Sequence, residues 1–319
     1  MHSRIATPNH TPASTLLFTT MSALRNIALA GATCNLGPAI LQQLVKAEFR
    51  VTVLTRRSSA HKFPASVTVK PVDYDSVESL TAALQGQDAV VSTLGLGALT
   101  KQFHLVEAAI KANVKRFIPS EFGPDTTNPK TATLAVSADK VAIQKLLAKE
   151  AAKGSISYTY VFTGPIFDWC LKAGLILNAE ERSIPLYDGG ERHFSTTTLE
   201  SVGKAVVGVL RKHDETKNRG VYVQDAAPSL KQIKAMAEKA TGTAWRGMDV
   251  SVENDMLAPA LAELDKENLD PSIFTLPLAV ASIWGEGYGS HLPSLDNGLL
   301  GLGEFTDAEI EAVVAAAVN

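Results

Sequence analysis

Through the first half of the chain, short apolar runs alternate with longer segments whose apolar residues recur at helical spacing. Ile27 to Ala30 reads as a buried strand. In Pro38 to Phe49 the residues Ile40, Leu41, Leu44 and Val45 share a helix face, and Arg50 to Thr55 is a second strand. The rhythm continues with strand 67–72, helix 77–84, strand 89–93, helix 104–113, strand 115–118, helix 134–151 and strand 156–162. The last is almost continuously apolar, which predicts a central parallel strand. Strands alternating with helices predict an α/β fold, a Rossmann-type parallel sheet with helices on both faces.

The second half is more irregular. Residues 167–179 read as a helical segment over the mouth of a site, 183–187 as a strand and 188–190 as a turn. A helix over 201–211, a strand over 220–224 and a helix from Pro228 to about Thr241 follow, with Ser229 as N-cap. The acidic stretch 252–270 is expected to be helical. The apolar stretch 273–281 is interrupted by Pro277. Trp284 to Gly289 reads as a flexible aromatic segment suited to a substrate lid or a partner interface, and 307–317 as a terminal helix capped by Thr306. The expected organisation is a disordered extension over 1–21, a nucleotide-binding Rossmann domain over 22–163, and a smaller α/β substrate-binding domain over 164–319 that returns to the first near 196–225.

The first strand runs into Gly31-Ala-Thr33-Cys34-Asn35-Leu36-Gly37, then into the first helix and the second strand. This is the strand-turn-helix-strand setting of a dinucleotide fingerprint, spread over about 30 residues. Gly31 lets the chain turn, Gly37 lets helix and strand approach, and the free amides of the helix start face a pyrophosphate. The second strand ends in Thr55-Arg56-Arg57-Ser58, with Lys62 close behind, where an NAD site places a carboxylate. An arginine pairs with a 2′-phosphate instead. NADPH is therefore expected, with Arg56 as its main contact. Asp73, at the end of the third strand, either reaches the adenine end or caps a helix. Thr93, Gly95, Ser120, Phe162 and Gly164, at the ends of later strands, are further candidate cofactor contacts.

Composition narrows the classes. The chain has 319 residues, 45% hydrophobic and 20% charged, with a formal net charge of −3. That balance recruits neither nucleic acid nor an anionic membrane. Cys34 and Cys170 make no disulfide framework and suit a reducing compartment. No apolar run approaches the roughly 18 residues of a membrane span. Residues 1–20 are rich in Ser, Thr and Pro, lack acidic residues, and contain only a short apolar core, Leu16-Leu17-Phe18. A cytoplasmic protein, monomer or homodimer, is expected. The histidines form no cluster with Cys or carboxylates, so no metal site is expected; His193 alone is a catalytic or substrate-side candidate. A conventional short-chain dehydrogenase needs Tyr four residues before its Lys, but Val136 precedes Lys140 and Val141 precedes Lys145 at that spacing. Any hydride chemistry must handle its proton another way.

The glycine loop, Thr55-Arg56, Asp73, Val91-Ser-Thr-Leu-Gly95, Lys115-Arg-Phe-Ile-Pro-Ser-Glu-Phe-Gly123 and Tyr158-Thr-Tyr-Val161 together resemble the NmrA-like, isoflavone-reductase-like group of atypical short-chain dehydrogenases, nearest to its fungal oxidoreductases. The resemblance is good over 24–225 and looser beyond, although 229–241 matches the family's late helix. It implies NADPH-dependent reduction of a phenylpropanoid-like or other small aromatic substrate. It also implies a lysine on the helix before the Tyr-Thr-Tyr-Val strand, which orders the cofactor and assists proton transfer. Lys140 matches that site, with Lys145 as the alternative. Glu121, Phe122, Phe167, Trp169 and His193 are the substrate-side candidates, although Glu121 is equally a structural residue and Phe167 and Trp169 suit an interdomain core. Cys34 stands where the family usually has glycine, which raises the question of an oxidation-sensitive cofactor site. Two other readings remain open, a cofactor-binding redox-sensing regulator without catalysis, and a non-redox lyase, isomerase or cyclase on the same scaffold.

Overall fold

The computed structural model describes residues 23–56, 59–292 and 294–318, so the expected extension over 1–21 lies outside the described residues, as do Arg57 and Ser58. The strands among them are β1 (Asn26–Ala30), β2 (Arg50–Arg56), β3 (Thr68–Val72), β4 (Ala89–Ser92), β5 (Arg116–Ile118), β6 (Ser157–Phe162), β7 (Ser183–Tyr187), β8 (Arg219–Tyr222) and β9 (Arg246–Val250). The helices are α1 (Gly37–Lys46), α2 (Val77–Leu84), α3 (Lys101–Lys111), α4 (Pro129–Thr133), α5 (Ala138–Ala152), α6 (Phe167–Lys172), α7 (Leu199–Arg211), α8 (Leu230–Thr241), α9 (Ala258–Leu264), α10 (Pro271–Trp284), α11 (Asn297–Leu300) and α12 (Asp307–Val318).

Seven strands form one parallel sheet in the order β3-β2-β1-β4-β5-β6-β8. The direction of strand addition reverses beside β1, so a crevice opens between the carboxyl ends of β1 and β4, where such sheets bind ligands. Alternation along β1 assigns its two faces. Ile27 and Leu29 enter the core with α1 and α7 residues such as Ile40, Leu44, Val202 and Val206. Ala28 and Ala30 enter the opposite core with Leu80, Leu105 and Ile143. Successive side chains of a strand point to opposite faces, and here both faces are covered.

Local chemistry sets the helix starts. Pro38 lies in the first turn of α1, where its missing N–H costs nothing. The Ser76 hydroxyl accepts from the Ser79 amide, at 3.1 Å, to begin α2. Ser229 and Gln232 form a reciprocal capping box on α8, which Gly242 ends in the left-handed conformation. A Cβ at Gly203 of α7 would lie 2.9 Å from the Ala39 carbonyl of α1, so glycine lets these two helices press together.

A third core joins residues of the second half, among them Phe167, Ile184, Phe194, Leu230, Trp245, Leu278 and Val314. Trp169 packs against both this core and the α1/α7 core. Here the structure departs from the expectations in four places. The helix begun at Phe167 stops at Lys172, with Gly174 at φ 73° turning the chain. Pro277 sits inside a continuous α10. The unforeseen β9 pairs in parallel with β7. Trp284 is buried against Tyr187 and Phe194, with ring centroids 4.9 and 5.2 Å away. The chain after it is tied to α4 and its cap, since Lys130 Nζ donates to the Glu286 carbonyl (2.9 Å) and Thr131 Oγ1 to that of Tyr288 (2.8 Å). The 284–289 segment is therefore pinned to the body of the protein. No helix among the described residues is long and apolar enough to cross a membrane.

Candidate functional site

The loop after β1 is held by its own backbone and by β4. The Cys34 amide donates to the Gly31 carbonyl (2.9 Å), and the Gly37 amide to that of Cys34 (3.0 Å). The Thr93 hydroxyl lies 3.0 and 2.9 Å from the carbonyls of Ala30 and Gly31 and shares its proton between them. Gly31 has φ 85°, and a Cβ there would lie 2.7 Å from Thr93 Oγ1. At Gly37 a Cβ would come within 2.3 Å of the Gly31 carbonyl. Both glycines are required by packing alone. Thr33 and Asn35 are exposed at the surface of the loop, Leu36 half-buried, and Cys34 partly exposed.

Above this loop lies a cavity of about 870 Å³. Gly31, Thr33, Cys34, Arg56, Asp73 and Gly95 all line it, together with Tyr74, Leu96, Gly97 and Lys101. Asp73 caps no helix; its carboxylate accepts from the Asp75 amide (2.9 Å), while Ser76 does the capping. A Cβ at Gly95 or Gly97 would meet nothing within 4 Å, so both offer bare backbone beside open space. Lys62 lines a second cavity of about 380 Å³, which shares Ala32, Thr33, His61 and Phe63 with the first. A dinucleotide suits this donor set. Glycine backbone borders the crevice and Arg56 stands at the end of β2, while Lys101 on the β4 side is paired with Asp75.

The end of β5 lies in the same layer. The Ser120 amide donates to Gln102 Oε1 (2.9 Å), and its hydroxyl to the Leu94 carbonyl (2.9 Å), which ties β5 to β4. Glu121 is only 2% exposed, and its carboxylate accepts from Thr126 Oγ1 (2.7 Å) and Gln144 Nε2 (3.0 Å). Phe122 is buried at φ 31°, left-handed for a residue with a Cβ. Lys140 Nζ donates to the Glu121 backbone carbonyl at 2.6 Å. Burial pushes the Lys140 ammonium below its ordinary range, and the Glu121 carboxylate opposes that shift. Burial in turn pushes the Glu121 carboxyl up, against Lys140, Thr126 and Gln144.

The segment that matches the family model decides what this arrangement belongs to. Residues 24–259 match the model of the NmrA-like family. The chain belongs to the NmrA-like family. Among its relatives, the oxidoreductase poxI of Penicillium oxalicum is 31% identical over 264 residues, covering 81% of this chain and 82% of that protein. The oxidoreductase aprR of Aspergillus flavus is 33% identical over 249 residues, covering 76% and 82%. Among solved structures, the binary complex of leucoanthocyanidin reductase with NADPH from Vitis vinifera superimposes with a TM-score of 0.71 at 19% identity, covering 92% of this chain and 99% of that one.

In this NmrA-like chain Ser120, Glu121, Phe122 and Lys140 line neither cavity, and the remaining candidates also fall outside the large cavity's lining. Phe162 and Phe167 are fully enclosed in separate cores. Gly164, at φ 62°, passes so close to the Ser195 carbonyl that a Cβ would lie 1.9 Å from it. Trp169 is half-buried at the junction of two cores. His193 is exposed, its Nδ1 2.6 Å from the Ala227 carbonyl. The expected absence of a metal site was read from scattered histidines, and no group of His, Cys, Asp and Glu among the described residues is arranged to hold one. Sequence reasoning passed over Tyr74, which lines the cavity and donates to the Leu54 carbonyl (3.1 Å). It also passed over Thr126 and Gln144. Gln144 stands one helical turn from Lys140, a spacing that signals a shared face.

Proposed function

We propose that this protein is an NADPH-dependent reductase of a small aromatic or conjugated substrate. The observation that carries the reading is the cavity joining the glycine loop to Arg56 across the carboxyl ends of β1, β2 and β4. Amides of the loop and the start of α1 bind the pyrophosphate. Arg56, with Lys62 near it, pairs with the 2′-phosphate, and Asp73, Tyr74 and Gly95 border the adenine side. When bound, NADPH supplies the hydride.

Lys140 is the catalytic residue in this reading. Its ammonium stands at the sheet edge that carries the cavity, anchored on the Glu121 carbonyl. The lowered affinity of that ammonium for its proton suits a group that delivers one to the reduced substrate. The absence of a Tyr-x-x-x-Lys pair leaves the lysine to act directly or through a substrate hydroxyl or water. On the substrate side Trp169 is partly exposed and His193 offers an exposed imidazole, while Phe122 is buried in the core. The fungal relatives named oxidoreductases, and the reductase solved with NADPH, support the same reading.

The test has two arms. Binding of NADPH and NADH is measured by titration calorimetry, and NADPH oxidation is followed at its absorbance band across a panel of aromatic enones, benzylic ethers and quinones. Preferential NADPH binding with turnover of at least one substrate is the expected result. Tight binding with no turnover across the panel would favour a cofactor-sensing regulator.

A further inference from the structure

Pro38, Leu41, Gln42 and Val45 lie at i, i+3, i+4 and i+7 on α1, so they share one face of that helix. That face and the loop 61–64 enclose the smaller cavity of about 380 Å³. None of these four α1 residues lines the large cavity, which the small one adjoins through the loop that follows Arg56. The floor is preformed. Leu41 belongs to the α1/α7 core, and Val45 and Phe63 pack against it. The loop is held at both ends, the Ser59 amide donating to the Arg56 carbonyl (2.9 Å) and the Val67 amide to that of Pro64 (3.0 Å). Such walls select a ligand class. Pro38 and Pro64 present no amide N–H, and Leu41, Val45 and Phe63 offer only hydrocarbon. A sugar or a polyphosphate would leave polar atoms unpaired against them. Lys62 supplies a cation, and among the described residues no carboxylate lines the cavity. The large cavity, by contrast, includes Asp73 and Asp75 in its wall.

We propose that the small cavity is a separate effector site for an aromatic monoanion, whose rings lie against Leu41, Val45 and Phe63 and whose charge rests on Lys62. The 2′-phosphate of NADPH, beside Arg56, draws on the same lysine in the proposed function, so the two anions compete for one ammonium. Occupation of the small cavity therefore weakens NADPH more than NADH. The site itself does not depend on the reductase reading; only the antagonism rests on the cofactor assignment.

Fluorescence titration of the full chain with two probes tests this: 1-anilinonaphthalene-8-sulfonate, and N-phenyl-1-naphthylamine, which keeps the rings without the anion. Val45→Trp fills the hollow and should abolish binding of both. Lys62→Gln should weaken the sulfonate by about fivefold, the upper end for one exposed ion pair, and leave the neutral probe unchanged. Gln42→Glu, at an exposed position, keeps the shape but puts a carboxylate in the wall, so it should act on the sulfonate alone in the same way; it carries the test if Val45→Trp does not fold. NADP⁺ should weaken the sulfonate by about fivefold and NAD⁺ by less than about twofold. Sulfonate affinity unchanged in folded Val45→Trp or in Gln42→Glu would put the probe elsewhere and overturn the site. Equal weakening by NADP⁺ and NAD⁺ would overturn the sharing of Lys62. A protein that turns over no substrate would fail as a reductase and still give every one of these binding results.

Discussion

Two buried cations flank β5, one at each end of the same short segment, and they are held differently. At the start, Arg116 is 1% exposed. It donates only to neutral oxygens, Ser157 Oγ (2.9 Å), Thr159 Oγ1 (2.7 Å), Thr216 Oγ1 (3.3 Å) and the His213 carbonyl. At the far end Lys140 donates to the Glu121 backbone carbonyl, and burial pushes its ammonium below the ordinary range. Burial lowers the Arg116 pKa to about 10, with Asp214 opposing, so the guanidinium keeps its proton at any physiological pH. Its planar fork spans β5, β6 and the turn after α7 as a brace. A lysine can give its proton up. The same burial therefore yields a brace at one end and, in the proposed function, a proton donor at the other.

Exchanging the roles gives the largest effects. Lys140→Met should lower kcat by about 10²–10⁴-fold, the usual contribution of a positioned acid, with NADPH affinity little altered in a binding titration. Arg116→Met should do the reverse. It leaves hydroxyls and a carbonyl short of a donor, costing about 3 kcal/mol of stability in urea unfolding, while kcat per folded molecule stays within about twofold. If the two variants traded outcomes, the division between the ends of β5 would collapse.

Conservative swaps sharpen it. Lys140→Arg keeps the charge but holds its proton too tightly, so turnover should still fall by at least about tenfold. Arg116→Lys keeps the charge but loses the fork, at about 1–2 kcal/mol in the same unfolding experiment. Arg56 supplies an exposed third case. Arg56→Ala should weaken NADPH binding by about 10–100-fold and leave NADH binding unchanged, since only the 2′-phosphate loses its partner. Cys34→Gly should have the smallest effect, less than about threefold on NADPH affinity, because the loop's closing bonds are backbone bonds that glycine keeps. Loss of NADPH affinity on mild oxidation of the Cys34 protein, absent in Cys34→Gly, would instead establish a redox-sensitive site.

The α/β rhythm was legible because both faces of the sheet are covered, which makes its strands continuously apolar and its helices periodic. Helix 77–84 and strand 183–187 match the sequence pattern to the residue. The glycine loop and Arg56 were legible for a different reason, since each depends on residue type at one strand end. What escaped depends on distant partners. Arg246-Gly-Met-Asp-Val250 has little strand character of its own and is a strand because β7 lies beside it. A Cβ at Gly247 would lie 2.6 Å from Leu186 Cδ1, so a larger residue there makes that side chain shift. Arg116 stands in the sequence only as part of a strand, and its role appears when Thr216 and His213 close over it. Glu121 reads as a strand-end acid facing the ligand edge, yet hydrogen bonds from Thr126 and Gln144 turn its carboxylate inward. Trp284 reads as an exposed aromatic beside glycines until Tyr187 and Phe194 enclose it.

The clasp of Thr93 over the glycine loop has a thermodynamic consequence. The loop's turn is closed by bonds to its own backbone and to a neighbouring strand. Nucleotide binding then has little loop ordering to drive, and its free energy is not spent on chain entropy. The heat-capacity change on binding should track only the apolar surface that the adenine and nicotinamide cover, without the larger negative value that accompanies folding of a segment. Calorimetry at several temperatures would read this directly, and Thr93→Val, which removes the hydroxyl but keeps the shape, should make that value more negative.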